Sequence, residues 1–292
     1  MKRRFIQCDV FTDTPYKGNP LAVVVDGEGL SDQQMQQFAN WTNLSETTFL
    51  LKPQNPKADY KVRIFTPQIE MPFAGHPTLG SCAAWLDADG TPAEPGKVIQ
   101  ECQIGLVEID ISNSPPAFTA PDTRSEPLSD AEASHLAAII NVPSEKVFSA
   151  VMLDNGPQWL VLELDSAATV LGIDANKISG EAVVSTGGRG VSCLGVLGAY
   201  AHGTNNSSNQ HVDFEVRLFA SEAGIVEDPI TGSLNAAIAM WLDSESRLAE
   251  KTLVSQGTAL GRSGRLLIRR LGSADIQIGG QSHILIRGEV DI

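Results

Sequence analysis

Residues 63–86 read RIFTPQIEMPFAGHPTLGSCAAWL, and residues 217–242 read RLFASEAGIVEDPITGSLNAAIAMWL. Arg63-x-Phe65 answers Arg217-x-Phe219, Pro77-x-x-Gly80 answers Pro229-x-x-Gly232, and Ala84-Trp85-Leu86 answers Met240-Trp241-Leu242. The register slips only slightly, as it does when loops change length and elements persist. Each copy begins with a stretch alternating apolar and polar residues, YKVRIFT in the first and HVDFEVRLF in the second, which has the two-residue period of a half-buried strand. A loop follows, then a residue able to cap, a proline expected at the first helical position, and an apolar helix rich in small residues. The second helix is expected to open with Asp228 as N-cap and Pro229 at its first position, with Ile230, Leu234, Ala237 and Trp241 near helical spacing. In the first copy His76 holds the equivalent place before Pro77, with Leu79, Ala83 and Leu86 behind it. The pattern predicts an α+β fold made by duplicating one half-fold.

Further out, Pro20 to Asp26 (PLAVVVD) is a predicted strand whose counterpart is Gln158 to Asp165 (QWLVLELD). Ser31-Asp32-Gln33-Gln34 opens a helix by capping-box logic, its apolar face carried by Met35, Phe38 and Ala39, and Ser129-Asp130-Ala131-Glu132 repeats the signature. The Pro-rich stretch from Ser114 to Pro127 is the expected link between lobes, placing the domains at residues 1–118 and 119–280. His283 to Arg287 alternates as a strand, and periodicity leaves open whether residues 281–292 return to the first lobe. Ser185 to Gly190 (STGGRG) is a Gly-rich turn without the spacing of a nucleotide-binding loop, and Gly203 to Asn209 reads as an exposed loop.

Composition narrows the function. The 292 residues suffice for one large core or two ordinary domains, and 42% hydrophobic with 19% charged residues is the balance of a soluble globular protein. A net charge of -14 has the wrong sign for non-specific attraction to nucleic acid or an anionic membrane, so neither partner is expected. A small anionic molecule stays open as substrate where backbone N–H groups receive it. No segment approaches the apolar length of a membrane span, and MKRRFIQCDVFTD lacks the apolar region of a signal peptide. Cys8, Cys82, Cys102 and Cys193 are scattered and read as reduced, which suits a cytoplasmic protein. His76, His135, His202, His211 and His283 form no ligand-spaced cluster, and the nucleotide-binding fingerprints are missing, so neither a metal nor a cofactor is expected.

Strand–loop–helix junctions with small residues are ready anion sites, because first-turn N–H groups point outward and the helix terminus carries partial positive charge. If both copies face a common cleft, Gly75-His76-Pro77-Thr78 and Asp228-Pro229-Ile230-Thr231-Gly232-Ser233 present two opposed sets of donors, able to hold a carboxylate and a developing enolate-like oxygen. Glu46, in Asn43-Leu44-Ser45-Glu46-Thr47-Thr48-Phe49, lies between the first helix and a short strand ending at Leu51. Taken singly, Glu46 suits a solvated or capping residue, Asp228 a helix cap, and His76 a turn. Taken together they suit acid–base work at carbon, since a desolvated Glu can both donate and accept a proton near neutrality.

GNPLAVV near the start, NLSETTF around Glu46, FAGHPTLG and EDPITGS, in this order across essentially the whole chain, resemble the phenazine-biosynthesis-like isomerase family. The resemblance implies the diaminopimelate epimerase-like fold: two pseudo-symmetric lobes, each a sheet wrapped around a central helix, with the active site in the cleft between them, commonly in a homodimer. It implies Glu46 as the catalytic acid–base residue, Asp228 and His76 as its polar partners, and Gly75, Gly232 and Ser233, with Ser45 beside Glu46, as substrate-binding positions. The activity it implies is cofactor-independent isomerisation of a small cyclic carboxylic acid, in the manner of trans-2,3-dihydro-3-hydroxyanthranilate, with a glutamate shuttling the proton. Related epimerases use a thiol at each central helix start, whereas His76 and Asp228 stand there in this chain. Two other functions stay open: an amino or hydroxy acid epimerase or racemase, and a non-catalytic small-molecule binding protein.

Overall fold

The computed structural model describes residues 1–178, 191, 193–201, 211–220, 225–272 and 274–292. The Gly-rich turn at Ser185 to Gly190, the Gly203 to Asn209 loop and His202 lie outside the described residues. The chain divides into two compact units, one of residues 1–119 with 277–292 and the other of residues 120–276.

The first unit runs β1 (Lys2–Val10), β2 (Asn19–Val24), α1 (Asp32–Thr42), β3 (Glu46–Leu51), β4 (Tyr60–Phe65), β5 (Glu70–Met71), α2 (Gly75–Asp87), β6 (Lys97–Cys102), β7 (Gly105–Asp110) and β8 (Ala117–Thr119). The second runs β9 (Arg124–Pro127), α3 (Asp130–Ile139), β10 (Val147–Asp154), β11 (Gln158–Leu164), α4 (Ala167–Leu171), β12 (Cys193–Ala199), β13 (Phe214–Ala220), β14 (Ile225–Asp228), α5 (Gly232–Ser244), β15 (Lys251–Gln256) and β16 (Gly264–Gly272). β17 (Asp275–Gly279) carries the chain back to the first unit, where Gln277–Gly279 pair with β8, and β18 (Ser282–Asp291) runs antiparallel to β1 along its whole length.

The strand pairings repeat. β1–β2 is antiparallel, β2–β3 parallel, β3–β4 and β4–β5 antiparallel, β4–β6 parallel and β6–β7 antiparallel. In the same order β10–β11 is antiparallel, β11–β12 parallel, β12–β13 and β13–β14 antiparallel, β13–β15 parallel and β15–β16 antiparallel. The fold is therefore α+β with two pseudo-symmetric copies of one half-fold. The matching Arg-x-Phe motifs serve the same purpose in both. Arg63 makes two hydrogen bonds to Glu70 and lies over Phe65, and Arg217 makes two to Glu227 and lies over Phe219. Each guanidinium fork thus fastens the short strand that leads into the central helix.

Both central helices are buried on nearly every side, which only a helix of small and apolar residues tolerates. α2 packs against β1, β2, β3, β6, β8 and β18, and ten residues of α5 are buried. Under α2 a polar network replaces part of the oil: Tyr60 Oη donates to Gln100 Oε1, Gln100 Nε2 to Thr78 Oγ1, and Thr78 Oγ1 to the Ala74 carbonyl. Each buried polar atom in that chain has a partner, so the network costs little. The capping boxes at Ser31 and Ser129 both form, and Met35 and Ala39 face the core from α1. The two capping-box helices are not counterparts, since α1 joins the parallel strands β2 and β3 whereas α3 precedes β10.

The helix starts differ from the sequence expectation. α2 begins at Gly75 after Ala74, so His76 is its second residue and Pro77 its third. A proline fits there because the first turn has no use for its N–H. α5 begins at Gly232 after Thr231, and neither Ala74 nor Thr231 caps with its side chain. Asp228 is accordingly not an N-cap: it ends β14, opposite Leu218, and Pro229 precedes the helix. Gly75 is the structural counterpart of Gly232, and the Pro-x-x-Gly match is a coincidence of spacing.

Candidate active site

The sequence-predicted residues gather in two sets, one within each unit. In the first unit a bend after α1 brings Ser45 and Glu46 to the start of β3, where Glu46 pairs with Leu21 of β2. His76 reaches the same place from the first turn of α2, its Nδ1 lying 3.1 Å from Glu46 Oε2, with side-chain exposures of 4% and 17% respectively. Gly75, the residue before it, is buried at the helix start.

The charge on this pair is settled by burial. Removal from water pushes the His76 imidazolium down to about 3, and the backbone carbonyl of Pro20 pulls weakly the other way. His76 is therefore neutral at pH 7, and its contact with Glu46 joins a carboxyl to a dipole, not to a cation. Pro20 is itself held in place. Asp9, buried on β1, accepts the Gly18 N–H at 2.9 Å, and a side chain at Gly18 would stand 2.4 Å from the Val10 carbonyl. Only glycine permits that approach.

In the second unit Asp228 is half-buried and its Oδ2 receives the Thr231 hydroxyl. Gly232 and Ser233 are buried in the first turn of α5, and the Ser233 carbonyl accepts from Asn155 Nδ2 at 2.9 Å. Asn155 is steadied by Trp159 Nε1, which donates to its Oδ1 at 2.9 Å. Gln256 at the end of β15 bonds both ends of the Asp228–Thr231 segment. Sequence reading named Thr231 only as part of the donor stretch from Asp228 to Ser233, and missed Gln256, Asn235 and Asn155. Thr231 stood inside the EDPITGS motif, but nothing in the period of β15 or in the turn after β10 marked Gln256 or Asn155 as partners of a helix start.

All four cysteines are free thiols, and Cys8, Cys82 and Cys102 are buried. Cys82 lies deep in α2, and burial pushes its thiol up to about 12. It is no thiolate at neutral pH. The second residues of the two central helices are His76 and Ser233, which corrects the pairing of His76 with Asp228 at the helix starts. Among the described residues no group of His, Cys, Asp and Glu is arranged to hold a metal ion, and no helix is long and apolar enough to cross a membrane.

Known proteins are similar to this chain over nearly all of its residues. Antisense-enhancing sequence 1 of Schizosaccharomyces pombe is 36% identical, matching 98% of this chain and 97% of its own. The trans-2,3-dihydro-3-hydroxyanthranilate isomerase of Pseudomonas chlororaphis is 28% identical over 98% of both. The crystal structure of a phenazine biosynthesis protein of the PhzF family from Bacillus anthracis has the same fold, with a TM-score of 0.83 at 21% identity, covering 100% of both chains. The family model for phenazine biosynthesis-like proteins (PhzC-PhzF) matches residues 8–288. With its duplicated half-fold and its four motifs in order, the chain belongs to the phenazine biosynthesis-like family of isomerases.

Proposed function

We propose that this protein is a cofactor-independent isomerase that moves a proton between carbon positions of a small cyclic carboxylic acid of the dihydro-hydroxyanthranilate type. The observation that carries this reading is the contact between Glu46 and a neutral, buried His76. A charged imidazolium 3 Å away would stabilise the carboxylate and weaken it as a base. A neutral imidazole leaves Glu46 free to cycle between acid and base, which a proton shuttle requires. Glu46 is assigned the transfer: it takes the proton from one carbon and returns it to another. Ser45 and Gly75 beside it, with Gly232 and Ser233 at the start of α5, are assigned to the substrate carboxylate, since first-turn N–H groups favour an anion. His76 and Asp228 are assigned to its amino or hydroxyl group. The 28% identity to an enzyme named for dihydro-hydroxyanthranilate isomerisation supports the substrate class. Cys82, protonated and enclosed, gives no support to a two-thiol epimerisation.

The test is proton exchange at carbon. The protein and Glu46→Gln are incubated in heavy water with trans-2,3-dihydro-3-hydroxyanthranilate and a pool of small carboxylic and amino acids, and products are resolved by mass and retention time. Glu46→Gln keeps the size and loses the proton, so it should fold normally and lose at least about 100-fold in rate. Equal turnover by both proteins would remove Glu46 from the reaction. An unchanged pool with tight binding would favour a binding protein, and label entering an amino acid at its α-carbon would favour an epimerase.

A further inference from the structure

Asp228 does not meet the Thr231 hydroxyl by chance. A hydroxyl has one proton, and its direction is set by what else approaches the oxygen. Gln256 Nε2 donates to Thr231 Oγ1 over 3.0 Å, which occupies the oxygen as an acceptor and leaves its proton for Asp228 Oδ2. The Gln256 amide is in turn fixed by backbone groups. Its Oε1 accepts from the Thr231 N–H at 3.0 Å, and its Nε2 also reaches the Asp228 carbonyl at 3.2 Å. A backbone N–H can only donate and a backbone carbonyl only accept, so this amide cannot be turned over. Asn235, on the first turn of α5, adds a second donor to Gln256 Oε1 at 2.8 Å and a bond to the Thr231 carbonyl at 2.8 Å. Gln256 and Asn235 are wholly buried, and Thr231 nearly so, where hydrogen bonds are strongest and least replaceable by water.

The first unit joins the corresponding strand and helix through a glutamine as well, but with Gly75 matching Gly232, Ala74 stands where Thr231 does and Thr78 where Asn235 does. There Gln100 donates to Thr78, but Thr78 spends its proton on the Ala74 carbonyl and the chain ends on backbone. Only in the second unit is the proton delivered to an ionisable group.

We infer that Thr231 and Gln256 are positioning residues, a one-way relay of donors that keeps Asp228 ionised and fixes its rotamer for its part in the reaction. The inference rests on the reading of Asp228 given above. Charged side chains stand on the elements around it. Glu227 beside it on β14 is bound by Arg217 of β13, Arg265 of β16 bonds Ser255 of β15, and Arg262 stands over Gly257 in the turn between β15 and β16.

The experiment titrates Asp228 directly, in full-length protein carrying carbon-13 at the aspartate carboxyls, with the Asp228 signal assigned by its loss in Asp228→Asn. Thr231→Val keeps the shape and removes the donor, and should raise the proton affinity of Asp228 by about tenfold or more, the worth of one hydrogen bond to a charged group. Thr231→Ser restores the hydroxyl and should return the titration to that of the native protein. Gln256→Leu, which frees the Thr231 proton to turn away, should move it in the same direction as Thr231→Val, and Thr231→Ala replaces the valine variant should that one fail to fold. Identical titration of Asp228 in native and donor-less proteins overturns the relay. Isomerisation of trans-2,3-dihydro-3-hydroxyanthranilate by Asp228→Asn at the native rate overturns the role of Asp228 instead, whatever the titration shows.

Discussion

Lowering the pH should destabilise the first unit through His76 alone, by an amount that follows from its burial. In the unfolded chain a histidine protonates at its ordinary value of 6.5, whereas in the fold His76 is pushed down to about 3. The neutral form is the one the fold accepts, so the stability is fully present above 6.5 and is lost as pH falls from 6.5 towards 3. Between those limits the unfolded state binds one more proton than the native state, and each pH unit costs about 1.4 kcal/mol. At pH 5 the loss relative to pH 8 is about 2 kcal/mol, and at pH 4 roughly 3 kcal/mol. Because the side chain is 4% exposed, solvent screening takes little from this figure. Urea unfolding at pH 8, 6, 5 and 4 for the native protein and His76→Gln separates the effect from the other titrating groups, with hydrogen exchange in α2 reporting the first unit by itself. The glutamine variant is expected to start lower and fall less steeply, the two curves converging by about 2 kcal/mol at pH 5. The His76 ring carbon signal should remain that of neutral imidazole at pH 5. Parallel stability curves, or a His76 titration near 6.5, would refute the reasoning. Its contact with Glu46 would then become an ion pair as the pH falls below about 6.5.

The duplicated Arg–Glu pairs give an internal comparison. Glu227→Ala should cost about 3–5 kcal/mol and Glu70→Ala about 1 kcal/mol in urea unfolding, because Arg217 and Glu227 are each 2% exposed, whereas Arg63 and Glu70 are 20% and 22% exposed and Arg63 keeps Asp32. Equal losses would mean that burial does not distinguish the two. Gly80→Ala should cost about 1–3 kcal/mol in the same measurement, since its methyl would stand 2.5 Å from Leu21 Cδ2 and 2.8 Å from Val10 Cγ2, while Gly288→Ala, with open space around it, should leave the melting temperature unchanged.

Much of this protein is written locally. Alternation in YKVRIFT and FEVRLF, the capping boxes at Ser31 and Ser129, and the apolar small-residue runs of the two central helices are properties of contiguous residues, so period and cap chemistry alone identify β4, β13, α1, α3, α2 and α5. The same duplication placed His76 and Asp228 among the candidates, and Glu46 joined them from its place between α1 and β3 and from the family resemblance. Helix starts were less legible. Proline marks a first turn without fixing which of its positions it fills, so Pro77 and Pro229 gave the wrong boundary for α2 and α5 and made Asp228 a cap. Contacts between distant segments left no trace in the pattern at all. That Glu46 meets His76, that burial makes that histidine neutral, and that Gln256 turns the Thr231 proton towards Asp228 depend on segments brought together by the sheet. Periodicity records which face of an element is buried. Only the tertiary structure decides what that face is buried against, and desolvation and hydrogen-bond direction, which set the chemistry, follow from that partner.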